Sequence, residues 1–174
     1  FGPDDKIYGP LWFKGQVVKV DVDKPELTVV ADGFKVPAAV DIDAKGNLLV
    51  DDTATGQLVR VDPKSGEKKV VAQLKPSLDN LAVAKDGHVF VSNMADNGIQ
   101  DVDPETGKVR QVIIGKLALP AGIAVVSEGG KDTIHVADTF AYRTVDGATG
   151  EVKDVVRMFA DGQELEYPLS ATVK

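Results

Sequence analysis

The 174-residue chain carries 20 basic and 27 acidic residues, a net charge of −7, and no cysteine. No basic patch capable of neutralising phosphates is present, which argues against nucleic acid and anionic membrane as partners, and the missing cysteines exclude disulfides and thiolate metal sites while leaving the compartment open. With 43% hydrophobic residues the chain suits one well-cored domain, and no apolar run approaches the roughly 20 residues that span a bilayer. It opens on Phe1 without a signal-peptide pattern, as a chain does that has been processed, trimmed or cut from something longer.

In chain order, "KIYGPL" is followed by Gly15 and then "VVKVDVDKPELTVV". The next set is "VPAAVDI", "NLLVDD", Gly56 and "LVRVDPKSGEKKVV". "SLDNLAV", "HVFVSN", Gly98 and "IQDVDPETGKVRQV" repeat the pattern, as do "LPAGIAV", "TIHVAD" and "YRTVDGATGEVKDV", where Tyr142 takes the glycine's place. "YPLSATV" stands last. Asp21, Asp62, Asp103 and Asp146 recur at spacings of 41, 41 and 43 residues. Each copy is four short Val- and Ile-rich segments separated by Gly, Pro and Asp, which predicts strands joined by tight turns, and no segment has helical period. In "VDPKSGE" and "VDPETGK", Asp62 and Asp103 open turns that Gly66 and Gly107 close.

Four antiparallel strands at a period of about 40 residues predict an all-β fold, a β-propeller of four-stranded blades. The repeats fall at about 1–34, 35–75, 76–117 and 118–164, with 165–174 a closing strand or the first strand of a next blade. The chain therefore enters at a second strand and leaves at a first strand. Either the last segment pairs back onto the first blade to close a four-bladed ring, or about four blades of a larger propeller are present, in which case blades missing from this chain or self-association would complete it.

Columns of equivalent positions single out candidate residues. Asp52, Asn93 and Asp138 end their second strands in one column, where the first copy has Leu11. A structural job accounts for such a column: each side chain caps its strand against a neighbouring blade's backbone. The first-strand column differs. Where the other copies carry "PAAV" and "PAGI", the third carries Asp79 and Asn80 in "LDNL", and an unpaired Asp on an innermost strand is costly to bury. The two histidines occupy non-equivalent places: His135 reads as a blade-packing residue and His88, after the turn glycine Gly87, as exposed. Trp12 and Phe13 either plug the channel or stack on a sugar, which makes Trp12, with Asp52, a substrate-binding candidate.

The stretch "GFKVPAAVDIDAKGNLLVDDTATGQLVRVDPKSGE" resembles the repeat of the six-bladed gluconolactonase and senescence marker protein propellers, and of the related streptogramin lyases and NHL-repeat proteins. The resemblance implies a small-molecule lactone hydrolase with a divalent cation, Ca2+ or Mg2+, in the central channel. It matches Asp79 or Asn80 to a cation-holding asparagine, Asp138 to an aspartate that holds the cation and acts as base, and Glu166, in "EYPL", to a glutamate two residues before a first-strand proline. Asn93 joins this metal set through its column. The same resemblance also admits a non-catalytic module that binds a protein or a small ligand.

Overall fold

The computed structural model of the protein describes residues 1–157. Among the described residues, fifteen strands build four antiparallel sheets. The first sheet has three strands in sequence order: β1 (Ile7–Leu11), β2 (Gln16–Asp21) and β3 (Glu26–Ala31), with a single 3-10 turn, Trp12–Lys14, between β1 and β2. The second runs β4 (Pro37–Ile42), β5 (Leu48–Asp52), β6 (Gln57–Val61), β7 (Lys68–Gln73). The third is β8 (Leu78–Val83), β9 (Val89–Asn93), β10 (Gly98–Val102), β11 (Val109–Ile113). The fourth is β12 (Pro120–Glu128), β13 (Lys131–Asp138), β14 (Ala141–Asp146), β15 (Val152–Arg157). These are the blades of a propeller in the phase read from the repeats, and the first blade begins at its second strand. The expected closing or next-blade strand, 165–174, lies outside the described residues.

The turns form for the reasons the sequence supplies. Asp62 accepts hydrogen bonds from the Lys64 and Ser65 amides, and Asp103 and Asp146 do the same in their copies. The closing glycines also set the spacing between blades. At Gly66, Gly107 and Gly150, all with φ between +71 and +74°, a Cβ would run into the carbonyl of Val30, Val71 or Val112 on the fourth strand of the preceding blade. In the first blade Pro25 holds that place.

Period two gives each blade an apolar residue on both faces, so the core is laid down in the gaps between blades. Leu48, Val50, Val59 and Val61 meet Val17, Ala31, Tyr8 and Phe34 of the first blade. Leu49 and Leu58 meet Leu81, Val89 and Val91, and beyond them Phe90 and Ile99 meet Ile134, Val136 and Val145. The first strands β4, β8 and β12 stand side by side as the inner wall. The fourth blade's far face differs: Ala141, not Tyr142, stands in the Gly98 column, and Tyr142 and Val156 are 40% and 61% exposed, in columns where Ile99 and Ile113 of the third blade are 0% and 4%.

Candidate functional site: the inner wall between blades two and three

The first strands do not enter their sheets cleanly. β4 slips register between Pro37 and Ala39, β8 between Leu78 and Asn80, and β12 between Pro120 and Ile123. Each slip is a β-bulge whose extra residue leaves the ladder. In β4 and β8 that residue is Ala38 and Asp79. The amide that follows the bulge needs another acceptor, and the second strand supplies it. Ala39 N–H donates to Asp51 Oδ1 at 2.6 Å, and Asn80 N–H donates to Ser92 Oγ at 3.1 Å.

Asp51 and Ser92 are therefore equivalent in place, yet differ in what lies beyond. The Ser92 hydroxyl donates onward to the Ala121 carbonyl of the fourth blade at 2.9 Å. Asp51 is 0% exposed, and its Oδ2 is buried without a hydrogen-bond partner among the described residues. Burial above all, with the negative charge of Asp79 adding to it, pushes the Asp51 carboxyl up to about 7, against the pull of the Ala39 amide. Asp79 is half-buried, and burial raises its carboxyl too. Among the described residues the Asp79 carboxylate has no hydrogen-bond or ion-pair partner.

The other sequence candidates are spent on the backbone. Asn80 Oδ1 accepts from Ile123 N–H of the next blade at 3.2 Å. Asp52 accepts from the Lys35 and Val36 amides as well as from its own turn at Ala54 and Thr55. Asn93 donates to the Lys75 carbonyl and accepts from Asp96 N–H. Asp138 accepts from the Ala118 and Leu119 amides and pairs with Arg143 at 3.0 Å. The column Asp52, Asn93, Asp138 thus ties down the segments that enter each blade, where capping of a neighbouring blade was expected. No group of three His, Cys, Asp or Glu side chains among the described residues is placed to share a cation, and Asn80, Asn93 and Asp138 are each engaged by backbone groups. Glu166 lies outside the described residues.

Trp12 and Phe13 stack on each other with ring centroids 5.4 Å apart and are 52% and 98% exposed. His135 hydrogen-bonds and stacks on Tyr142 of its own blade. His88 departs from the expected free exposure: it holds Asp101 Oδ1 at 2.7 Å while Arg110 holds Oδ2 at 2.7 Å and donates to the Gly147 carbonyl of the fourth blade. Asp51 is the residue that sequence comparison passed over. The signal was present in its column, which reads Pro10, Asp51, Ser92 and Ala137 and places one carboxylate beside an apolar strand.

The SMP-30/Gluconolactonase/LRE-like region is matched over residues 3–137. Similar solved structures include virginiamycin B lyase from Staphylococcus aureus, at 12% identity and a TM-score of 0.71 over 88% of this chain and 53% of that one. An auxiliary nutrient binding protein from Bacteroides ovatus is similar at 17% identity and a TM-score of 0.70, over 95% of this chain and 42% of that one. A nidogen/laminin complex gives 13% identity and a TM-score of 0.77, over 95% of this chain and 63% of the matched one. At such identities the likeness is one of fold, and the chain spans about half the length of the structures it matches. A search of curated proteins finds no match.

Proposed function

The chain belongs to the SMP-30/gluconolactonase/LRE-like family, and from that premise we propose that it supplies the inner wall of a lactonase-like hydrolase that opens a small lactone, such as a sugar lactone, in the propeller channel. The observation that carries the reading is Asp79, a half-buried carboxylate on the inner strand with no partner of its own. Partial burial raises its proton affinity, and that suits a general base near neutral pH better than a solvated carboxylate. In the reaction Asp79 takes a proton from water, the hydroxide adds to the lactone carbonyl, and collapse of the tetrahedral adduct breaks the ring C–O bond while Asp79 returns the proton to the departing ring oxygen, giving a hydroxy acid. Asn80 and Ser92 hold the bulge that aims Asp79.

Proton release from a panel of aldonolactones tests the reading. Asp79→Asn is expected to lower kcat by about 10²–10⁴, the range of general-base catalysis, with an unfolding midpoint that is not lowered. Full activity in that variant ends the proposal. The Ca2+ or Mg2+ requirement is tested apart from it: calorimetric heat on adding either ion, and activity lost to chelator, support it, and activity indifferent to chelator removes it.

The second reading, a non-catalytic binding module, is favoured by the exposed Trp12–Phe13 stack, an aromatic surface of the kind that binding sites use. Its mark is a ligand whose binding is lost in Trp12→Ala and indifferent to Asp79→Asn.

A further inference from the structure

The three junctions between blades repeat one pairing of faces. The outgoing face of a blade presents two apolar residues that pair across its third and fourth strands, and the incoming face of the next presents two that pair across its second and third. Val17 and Ala31 of blade one meet Leu48 and Val61 of blade two. Leu58 and Ala72 meet Val89 and Val102 in the same way, and Ile99 and Ile113 meet Ile134 and Val145. All of these residues are buried. Three junctions use three outgoing and three incoming pairs, and four blades have one more of each. The outgoing pair left over is Tyr142 and Val156, joined across β14 and β15 and exposed. The incoming pair left over is Ile7 and Val20, joined across β1 and β2. Ile7 is 39% exposed where Leu48, Val89 and Ile134 in its column are 0%, and Val20 is half-buried where Val61, Val102 and Val145 are enclosed. One chain thus carries both halves of a fourth junction, unjoined, at opposite ends of its row of blades.

We propose that a second copy of this chain completes that junction head to tail. Blade four of one copy seats Tyr142 and Val156 against the Ile7 and Val20 positions of the other copy's blade one, and the reciprocal junction closes a ring of two copies. The occupant is a second copy because the two leftover faces are opposite in kind: neither matches its own like, and each matches the other. The chain also spans about half the length of the structures it matches, so two copies supply the length of one. Removal of the exposed apolar pairs from water drives the association. It is weaker than a junction within the chain. At the internal junctions Gly66, Gly107 and Gly150 back onto a fourth-strand carbonyl of the preceding blade, whereas Pro25 holds that place in blade one and forgoes the close approach. In dilute solution both end faces therefore stand open. In the ring, the inner walls of the two copies line one channel. The proposal goes beyond the hydrolase reading and does not rest on it.

Sedimentation velocity on the full chain, from about 1 µM to about 1 mM, tests it. A monomer that passes to a dimer, and to nothing larger, is expected as concentration rises. Tyr142→Glu and Ile7→Glu alter exposed positions, so both variants are expected to remain folded by circular dichroism. Each is expected to weaken association at least about tenfold, because the junction would bury an unpaired charge. The mixture of the two variants decides the geometry. Each keeps the end that the other has lost, so mixing is expected to restore a one-to-one complex that neither forms alone. A wild-type chain that stays monomeric throughout overturns the proposal, whatever else covers its end faces, and so does a species larger than a dimer. Association of either variant at wild-type strength overturns it too, since like faces would then be pairing, as does a mixture no more associated than its parts. Lactone turnover enters none of these outcomes, so this proposal and the hydrolase reading fail separately.

Discussion

The junction between blades two and three and that between blades three and four share one backbone plan and differ in nearly every side chain that fills it. In the first, Leu49 and Leu58 close the gap, Asp51 faces Asp79, and the far end is held by Asp43, Asn47 and Arg60. In the second the same places hold Phe90 and Ile99, Ser92 facing Ala121, and Ala84, His88 and Asp101, with Arg110 reaching over to the fourth blade. The difference teaches what the fold demands of a junction. It needs an apolar centre, an oxygen that accepts the bulge amide, and a paired polar cluster at the rim; it leaves the identity of each open. A junction is free to carry an acid at its inner end only where the group facing it tolerates one. That is the feature that sets the blade two–three wall apart as a candidate site.

The largest way to break the comparison is to empty a centre. Phe90 is 2% exposed and fills the second junction among Ile99, Ile134 and Val136, so Phe90→Ala is expected to cost about 3–5 kcal/mol by denaturant titration. Tyr142→Ala, in the Ile99 column but on the open face of the fourth blade, is expected to change stability by about 1 kcal/mol or less, because it removes little buried area. Equal costs would mean that the open face is covered in solution.

Next is the response of the inner ends to pH. With Asp51 raised from 3.8 to about 7, the folded state binds more protons than the unfolded state between those values, so stability falls as pH rises through that window. The span amounts to roughly 4 kcal/mol at about 1.4 kcal/mol per unit. Below the window both states are protonated, and above it both are ionised. Asp51→Ser, which copies the second junction into the first, is expected to flatten the slope. Asp79→Ala, which copies Ala121, is expected to make it shallower by removing the opposing charge. An unchanged slope in both variants would put its origin elsewhere.

A smaller effect is expected at the turn glycines that touch the preceding blade. Gly150 has φ +71° and backs onto the Val112 carbonyl, so Gly150→Ala is expected to cost about 1–3 kcal/mol through the left-handed backbone and the displaced neighbour. Gly87, also at positive φ but with open space around it, separates the two contributions: Gly87→Ala carries the backbone cost alone. Equal losses would show that the close approach between blades does not matter.

Much of this was legible in the residues. Asp21, Asp62, Asp103 and Asp146 gave the period, and Val and Ile at period two gave the strands. The phase gave a first blade that starts at its second strand. Asp79 and Asn80 stood out as candidates because they break the first-strand column, and a lapse in a repeat is visible without coordinates. Asn80's bond to Ile123 was not, since it depends on how far one blade is rotated against the next. Asp51 was overlooked for a related reason: beside Asp52 it reads as half of an acidic pair, and only the alternation of the strand turns one carboxylate to the entering segment and the other to the junction. His88 looked exposed because the sequence does not show that Asp101, in the strand after the next turn, faces it.

The smallest expected effect lies at the outer rim, where His88 of the second junction replaces Asn47 of the first. The hydrogen bond to Asp101, with that residue's charge, raises the His88 imidazole above its ordinary value of 6.5, opposed by partial burial. The stability it contributes is therefore fully present below about 6.5 and is lost as pH rises through the raised folded value. The sign is that of Asp51, but the window is the next one up. In an Asp51→Ser background the Asp51 slope is gone, and unfolding midpoints at pH 5 and pH 9 isolate the histidine. His88→Asn is expected to remove the remaining difference while leaving Arg110 on Asp101 and on the Gly147 carbonyl. The solvent-screened imidazole makes this a shift of a few degrees at most, and added salt is expected to shrink it further. A difference that survives His88→Asn would assign the upper window to another group and leave the two rims alike in their response to pH.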